Sequence, residues 1–377
     1  MGNVFSDIER ILGERLDVAI QQDSMVYNET SDRKLLCANP LVSVHMLTYN
    51  QAKYISAAIE GVVGQETDFE YELIIGEDCS NDGTRQICLE YQRRYPNIIR
   101  VIWSDVNVYR NGGNSCRVHQ CCRGVFVAFC EGDDYWTDKY KLQKQVDVML
   151  KYPTVSVCFT NGQRYIEKFR KYIPWESESV FTPGLIKGRA FFEVYLNDLK
   201  MWTMTASRMY RKQLMDSYLK TKFGEMVDKY ALKYSDLTMD LSASQCGDVY
   251  YIKDKTVVYR QGVGVCLRSY KEAIIGLCIR FAFAKQMEES ECCNKILHLI
   301  YSKFYHQLPW MSHADRIFYG NHLLKNDLFA GMSSFSGLCV IWILKLSPFP
   351  FWRFPLLLRR CFWRALGRKR FVSCIVD

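Results

Sequence analysis

Between residues 41 and 159, five short apolar runs rich in β-forming residues alternate with stretches of helical spacing, and this alternation constrains the fold more than any other feature. The runs are 42–47, 71–75, 98–103, 125–130 and 155–159. Residues 51–64, 84–95 and 139–151 carry their apolar residues at helical spacing. A strand, a helix and a second strand in succession form a crossover unit, which makes neighbouring strands parallel. The expected class is α/β, a mixed and mostly parallel sheet flanked by helices. In such sheets ligands bind beyond the carboxyl ends of the strands, so chemistry is expected in the residues just after each run.

Those residues are rich in hydroxyls and acids. The first run ends in Thr48-Tyr49-Asn50, the second in Glu77-Asp78 within GEDCSNDGT, and the fourth in Glu131-Gly132-Asp133-Asp134-Tyr135-Trp136. Consecutive acids at a strand end repel one another unless a cation or hydrogen-bond donors offset the charge. Asp133-Asp134 alone could be a solvated turn before the helix at 139–151. Aligned with two other polar strand ends, the pair instead points to a divalent cation, Mg²⁺ or Mn²⁺, completed by water and diphosphate oxygens. Such an ion stabilises a departing diphosphate as a Lewis acid. Asp82 directly precedes a helix and suits a capping role, which leaves Asp78 to accept hydrogen bonds from a base or ribose.

TYN after the first run, D-x-S-x-D-G-T after the second and GDD-Y-W after the fourth resemble the family 2 glycosyltransferases of GT-A fold, a Rossmann-like architecture. The resemblance covers roughly residues 41–265. It implies an inverting, metal-dependent transferase that uses a nucleotide-sugar donor. Thr48, Tyr49 and Asp78 would line the base and ribose, Asp133 would contact the ribose or the metal, and Asp134 would ligate the metal. Arg117, in GGNSCR, would help hold the donor. Members commonly carry Asp where this chain has Glu131. Inverting members use a carboxylate to deprotonate the acceptor hydroxyl. The segment YSDLTMDLSAS offers Asp236 and Asp240, of which Asp236 is favoured because it opens a helix before GDVYYIKDKTVVYR. That last segment reads as a closing strand pair, 248–252 and 256–260. A diphosphate contact beyond it falls to Arg260 or Arg268, and 201–207 either lines the acceptor side or is simply a strand.

Charge separates the tail from the rest. The formal net charge of +8 is carried by eight bases in 328–376, a stretch without Asp or Glu. Nucleic-acid binding calls for a basic face on the folded domain, so the tail points to an anionic membrane surface and not to nucleic acid. PLLLRRCFWRALGRKR interleaves Leu, Phe and Trp with Arg, as an interfacial helix does, and no stretch reaches the length of a membrane span. The expected organisation is an extension over 1–40, the transferase domain over 41–270, and a helical, basic and apolar region over 271–377 that associates with a membrane. The first residues lack the apolar core of a signal peptide, and the 16 Cys read as reduced thiols. A cytoplasmic protein, peripheral on the inner face of the cell membrane, is expected, acting on a glycan or lipid-linked glycan. Two rival readings are a sugar-phosphate nucleotidyltransferase and a non-catalytic relative. The first generally needs a Gly-rich basic loop where this chain has TYNQAKYI, and the intact acids argue against the second.

Overall fold

The computed structural model describes residues 27–32, 34–108, 113–175, 180–197, 203–219, 236–263 and 283. All of these except Phe283 belong to one compact unit, Leu16–Leu267. The membrane reading of 271–377, apart from Phe283, and the candidate Arg268 lie outside the described residues. Among the described residues no helix is long and apolar enough to cross a membrane.

The crossover pattern builds a parallel block. Strands β2 (Val42–Thr48), β3 (Tyr71–Glu77), β4 (Ile99–Trp103) and β5 (Phe126–Phe129) are joined by helices α1 (Ile55–Val63), α2 (Thr84–Arg94) and α3 (Gly113–Cys121). Val42 pairs in parallel register with Tyr71 on one side and Phe126 on the other, and Leu73 with Ile99. Asn28–Thr30, inside the stretch read as an extension, forms β1 and closes the edge antiparallel to β4.

The other half of the sheet is mixed. After β6 (Tyr135–Trp136) and α4 (Lys141–Lys151) come β7 (Val155–Ile166), β8 (Lys171–Pro174), β9 (Gly184–Ile186) and α5 (Gly188–Asn197). Then follow β10 (Arg208–Arg211), α6 (Lys212–Leu219), α7 (Asp236–Cys246) and β11 (Asp248–Gln261). The strand order is β1-β4-β3-β2-β5-β10-β7-β11-β6, with β8 on β7 and β9 on β11. β10 runs antiparallel between β5 and β7. An antiparallel insert starts where its parallel neighbours end, so the residues at the start of β10 stand beside the carboxyl end of β5.

Two elements differ from the expectation. The closing strand pair is one strand, β11, parallel to β7 with register irregularities between Ile252 and Val257. The charged Lys253-Asp254-Lys255 insert breaks the apolar pattern, which is why one bulged strand reads as two runs. Of the two readings of 201–207 the plain strand fails, since the strand starts at Arg208: Thr205–Ser207 is a 3₁₀ turn, in which Ser207 donates to the Met204 carbonyl through N–H (2.9 Å) and Oγ (2.7 Å).

Helices cover both faces of the sheet. On one, Val42, Val44, Met46, Leu73 and Ile75 pack with Ile55, Ile59 and Val62 of α1 and Leu142, Val146 and Met149 of α4. Truncating such a buried aliphatic to Ala costs about 2–5 kcal/mol. A Cβ on Gly61 would lie 2.9 Å from the Trp136 backbone, so α1 rests directly on the acidic turn and β6. On the other face His45 meets the Ser115 carbonyl of α3 (3.2 Å), and Phe159 packs on Phe191 of α5.

Candidate active site

Three neighbouring strand ends meet at one crevice, stitched by backbone hydrogen bonds. Asp78 N–H donates to the Thr48 carbonyl (3.1 Å), and Gly132 N–H to the Leu47 carbonyl (2.9 Å). Thr48, Asp78 and the Glu131–Asp134 turn are thereby brought together. A Cβ at Gly132 would fall 2.4 Å from Gln51 Oε1 and 2.8 Å from Thr48 Oγ1, so only glycine allows the turn to approach β2 this closely. Thr48 Oγ1 donates to Gln51 Oε1 (2.8 Å), and Gln51 also hydrogen-bonds Asp133. Gln51 therefore ties two strand ends together.

The loops after β2 and β3 hold each other. Asn50 sits in the left-handed region (φ 51°), which a short amide side chain tolerates, and its Oδ1 accepts from Asn81 N–H (3.0 Å). Its own N–H donates to Ser80 Oγ (2.9 Å). Asp82 accepts from Ala52 N–H at Oδ2 and from Thr84 N–H at Oδ1, both at 3.0 Å, so it fastens the first loop to the start of α2. Asp78 is buried, and its Oδ1 accepts from Val108 N–H (2.9 Å). Arg117 of α3 is fully buried; burial pulls its pKa down, and Asp78 is the carboxylate that most opposes this. Tyr49 is half-buried at the end of β2.

The acids of the turn are crowded. Burial, then the charges of Asp236, Asp134 and Asp133, push Glu131 well above the usual carboxylate range, and its Oε2 is buried with no hydrogen-bond partner among the described residues. Burial and Asp133 push Asp134 up in the same way. Asp134 is buried, and its Oδ1 accepts from Arg260 N–H (2.9 Å), which docks β11 onto the turn. Asp133 is more accessible, and burial raises its carboxyl too. Arg260 donates from Nη1 to the Asp133 carbonyl (2.7 Å), and its guanidinium lies over the rings of Tyr135 (4.4 Å) and Tyr54 (5.2 Å). These hard oxygen donors with under-compensated charge fit a divalent cation. No three His, Cys, Asp or Glu side chains among the described residues are grouped to hold an ion by themselves. A cation here would complete its shell with diphosphate and water.

The start of β10 and the start of α7 face this turn. Asp236, the first residue of α7, keeps its side chain 54% exposed; its Oδ1 accepts from Thr205 Oγ1 (2.7 Å) and Arg208 Nη1 (2.9 Å). Asp240, one turn on, is 2% exposed. Its carboxylate accepts from Tyr195 OH, from Thr203 Oγ1 (2.8 Å) and from Tyr210 OH (2.8 Å), and pairs with Arg208 Nη2 (3.0 Å). Asp240 is therefore enclosed and fully bonded, whereas Asp236 is exposed and bonded through Oδ1 alone. Arg208 and Gln51 belong to the site, yet no motif marks them. The one available signal is a charged residue opening the otherwise core-facing Arg208–Tyr210 stretch, which implies a buried partner.

A mixed sheet with its polar strand ends gathered in this way is a GT-A-type fold. The structure of S. aureus TarS 1–349 in complex with UDP-GlcNAc superposes with a TM-score of 0.56, at 17% identity, over 80% of this chain and 86% of that one, a likeness of fold. Residues 43–219 match "Glycosyl transferase family 2", so this stretch is similar to the glycosyltransferases of that family. Over 118 residues it is 42% identical to an uncharacterised protein of Mycobacterium tuberculosis, covering 31% of this chain and 34% of that protein. Over 116 residues it is 36% identical to TuaG of Bacillus subtilis, named as a teichuronic acid biosynthesis glycosyltransferase, covering 30% of this chain and 43% of TuaG. The matched stretches thus span less than half of these relatives.

Proposed function

We propose that this chain transfers a sugar from a nucleoside-diphosphate donor to an acceptor hydroxyl with inversion at the anomeric carbon. One juxtaposition carries the reading. The strand-end turn Glu131–Asp134 and the exposed carboxylate of Asp236 share one crevice, with Asp236 the strongest of the charges acting on Glu131. Thr48, Tyr49 and Asp78 receive the base and ribose, and buried Arg117 supports Asp78. Asp133 and Asp134 hold a Mg²⁺ or Mn²⁺ ion, which when bound offsets the charge of the departing diphosphate. Asp236 takes the proton of the acceptor hydroxyl as that oxygen attacks opposite the leaving group. Arg260 stacks between Tyr54 and Tyr135 at the mouth and faces the diphosphate.

The donor is a UDP-sugar, a reading supported by the shared fold of TarS, which was crystallised with UDP-GlcNAc. The acceptor is a lipid-linked glycan on its way to a surface polysaccharide. The name of TuaG and the basic, apolar tail support this reading, in which the work is done on the cytoplasmic face of the membrane. The test is a panel of nucleotide sugars screened for thermal protection with and without Mn²⁺, followed by product analysis. A nucleoside diphosphate released with Mn²⁺, and lost in Asp134→Ala, is the expected result. Pyrophosphate as product, or full activity in Asp134→Ala, overturns the donor or the metal assignment respectively.

A further inference from the structure

The buried cluster beneath Asp236 is larger than a catalytic base needs for its own support. Arg208 is among the largest fully buried side chains of the described residues, and its donors are spread over three partners. Nε donates to Thr203 Oγ1 (2.5 Å), Nη2 to the Thr203 carbonyl (2.5 Å) and Nη1 to Asp236 Oδ1 (2.9 Å), while Nη2 pairs with Asp240. Thr203 Oγ1 passes its own proton on to Asp240 Oδ2 (2.8 Å), so its acceptor role toward Arg208 is set. Tyr195 OH accepts from Thr203 N–H (2.7 Å) and donates to Asp240. Every member of the cluster has its partners, as a buried polar network requires if it is to hold one geometry.

The division of charge is informative. A guanidinium bonded only to Asp236 would draw that carboxylate into a closed ion pair and blunt it as a base. Here Asp240, buried and bonded to three hydroxyls, supplies the counter-charge of Arg208. Asp236 takes a single Arg208 hydrogen bond and one from Thr205, both on Oδ1. Among the described residues nothing hydrogen-bonds its Oδ2. One oxygen is pinned, and the other is left for a substrate hydroxyl.

We infer that Arg208 is the positioning residue for Asp236, with Asp240 as its buried counter-ion and Thr205 as the second restraint on the same oxygen. The inference rests on Asp236 being the base. It gives Asp240 the task of keeping Arg208 oriented without contact with substrate.

The experiment is a double-mutant cycle on the full chain, reading kcat and donor KM in the transfer assay and UDP affinity by calorimetry. Asp236→Asn is expected to lower kcat by roughly 10²–10⁴-fold. Arg208→Lys keeps the charge but loses the fork, and is expected to lower kcat about 100-fold with donor KM and UDP affinity unchanged. In the Asp236→Asn background the same change should cost nothing further, because a residue acting only through Asp236 has nothing left to act on. Thr205→Val, which leaves the buried ion pair whole, should lower kcat about tenfold and serves should Arg208→Lys fail to fold. Wild-type kcat in folded Arg208→Lys or Thr205→Val, while Asp236→Asn is inactive, overturns the inference and leaves the base assignment standing. Equal losses in kcat and UDP affinity, or a further loss in the Asp236→Asn background, also overturn it. Full activity of Asp236→Asn overturns the base assignment itself.

Discussion

Two regions of this crevice bury carboxylates, and they treat the charge in opposite ways. At the end of β5, Glu131, Asp133 and Asp134 crowd together and burial raises all three, while the neighbouring cation, Arg260, gives Asp133 and Asp134 a backbone carbonyl contact and an N–H rather than a carboxylate fork. At the start of α7, Asp240 is as deeply buried but is surrounded by three hydroxyls and a guanidinium; burial pushes its carboxyl up, and Arg208 is the strongest force holding it down. Burial works against the charge of Arg208, yet Asp240, Tyr210 and Asp236 outweigh it and keep the guanidinium protonated. A region whose charge is balanced internally is a structural support. A region whose charge is left unbalanced is one that a ligand completes.

This contrast can be broken from either side. The largest effect is expected at the unbalanced side. Asp133→Ala should lower kcat/KM with Mn²⁺ by roughly 10²–10³-fold and abolish any Mn²⁺-dependent thermal shift; a retained Mn²⁺ shift would show that the turn does not bind the ion. At the balanced side the effect falls on stability. Asp240→Asn leaves the buried Arg208 without its main counter-charge and should cost about 3–5 kcal/mol in denaturant unfolding, the usual penalty for breaking a buried pair. A loss below about 1 kcal/mol, the range of an exposed pair, would contradict the enclosed geometry.

Glu131→Gln sharpens the comparison because it should move stability the other way. Fixing this crowded side chain in a neutral form is expected to raise the thermal midpoint of the ligand-free protein by roughly 2–4 °C, while turnover with Mn²⁺ falls. A lower midpoint would mean that the acids are already compensated.

The smallest effect concerns Lys141, buried at the start of α4 with Nζ 4.3 Å from the centre of the Trp136 ring. Burial lowers its pKa from 10.5 to about 7. Above about pH 7 the folded chain releases this proton while the unfolded chain keeps it, so unfolding free energy should rise with pH by at most about 1.4 kcal/mol per unit. The window closes near pH ~8.5, where unfolded thiols ionise and buried ones such as Cys158, pushed up to about 12 by burial, reverse the sign. Urea melts between pH ~7 and ~8.5 should show the slope in the wild type and lose it in Lys141→Met.

Much of the architecture was legible beforehand because it is written in local periods. The runs at 42–47, 71–75 and 98–103 became β2, β3 and β4 within two residues, and the polar strings behind them lie at strand ends. Boundaries moved where side-chain hydrogen bonds compete with the ladder, as at Thr205–Ser207, or where a charged bulge interrupts a strand, as in β11. The choice between Asp236 and Asp240 could not be made from spacing alone. Both are acids on one helix, four residues apart, and on an α-helix that spacing places them on the same face.

The order of strands and helices, the acids at the strand ends and the glycine between Glu131 and Asp133 were therefore determined by the sequence itself, since each follows from neighbours in the chain. The tertiary structure decided that β10 enters antiparallel between β5 and β7. That insertion carries Thr205 and Arg208 to the carboxyl end of β5, seals Asp240 beneath them and leaves Asp236 at the surface. Burial and charge balance depend on residues far apart in the chain meeting in space, and no local pattern encodes which of two acids will be enclosed.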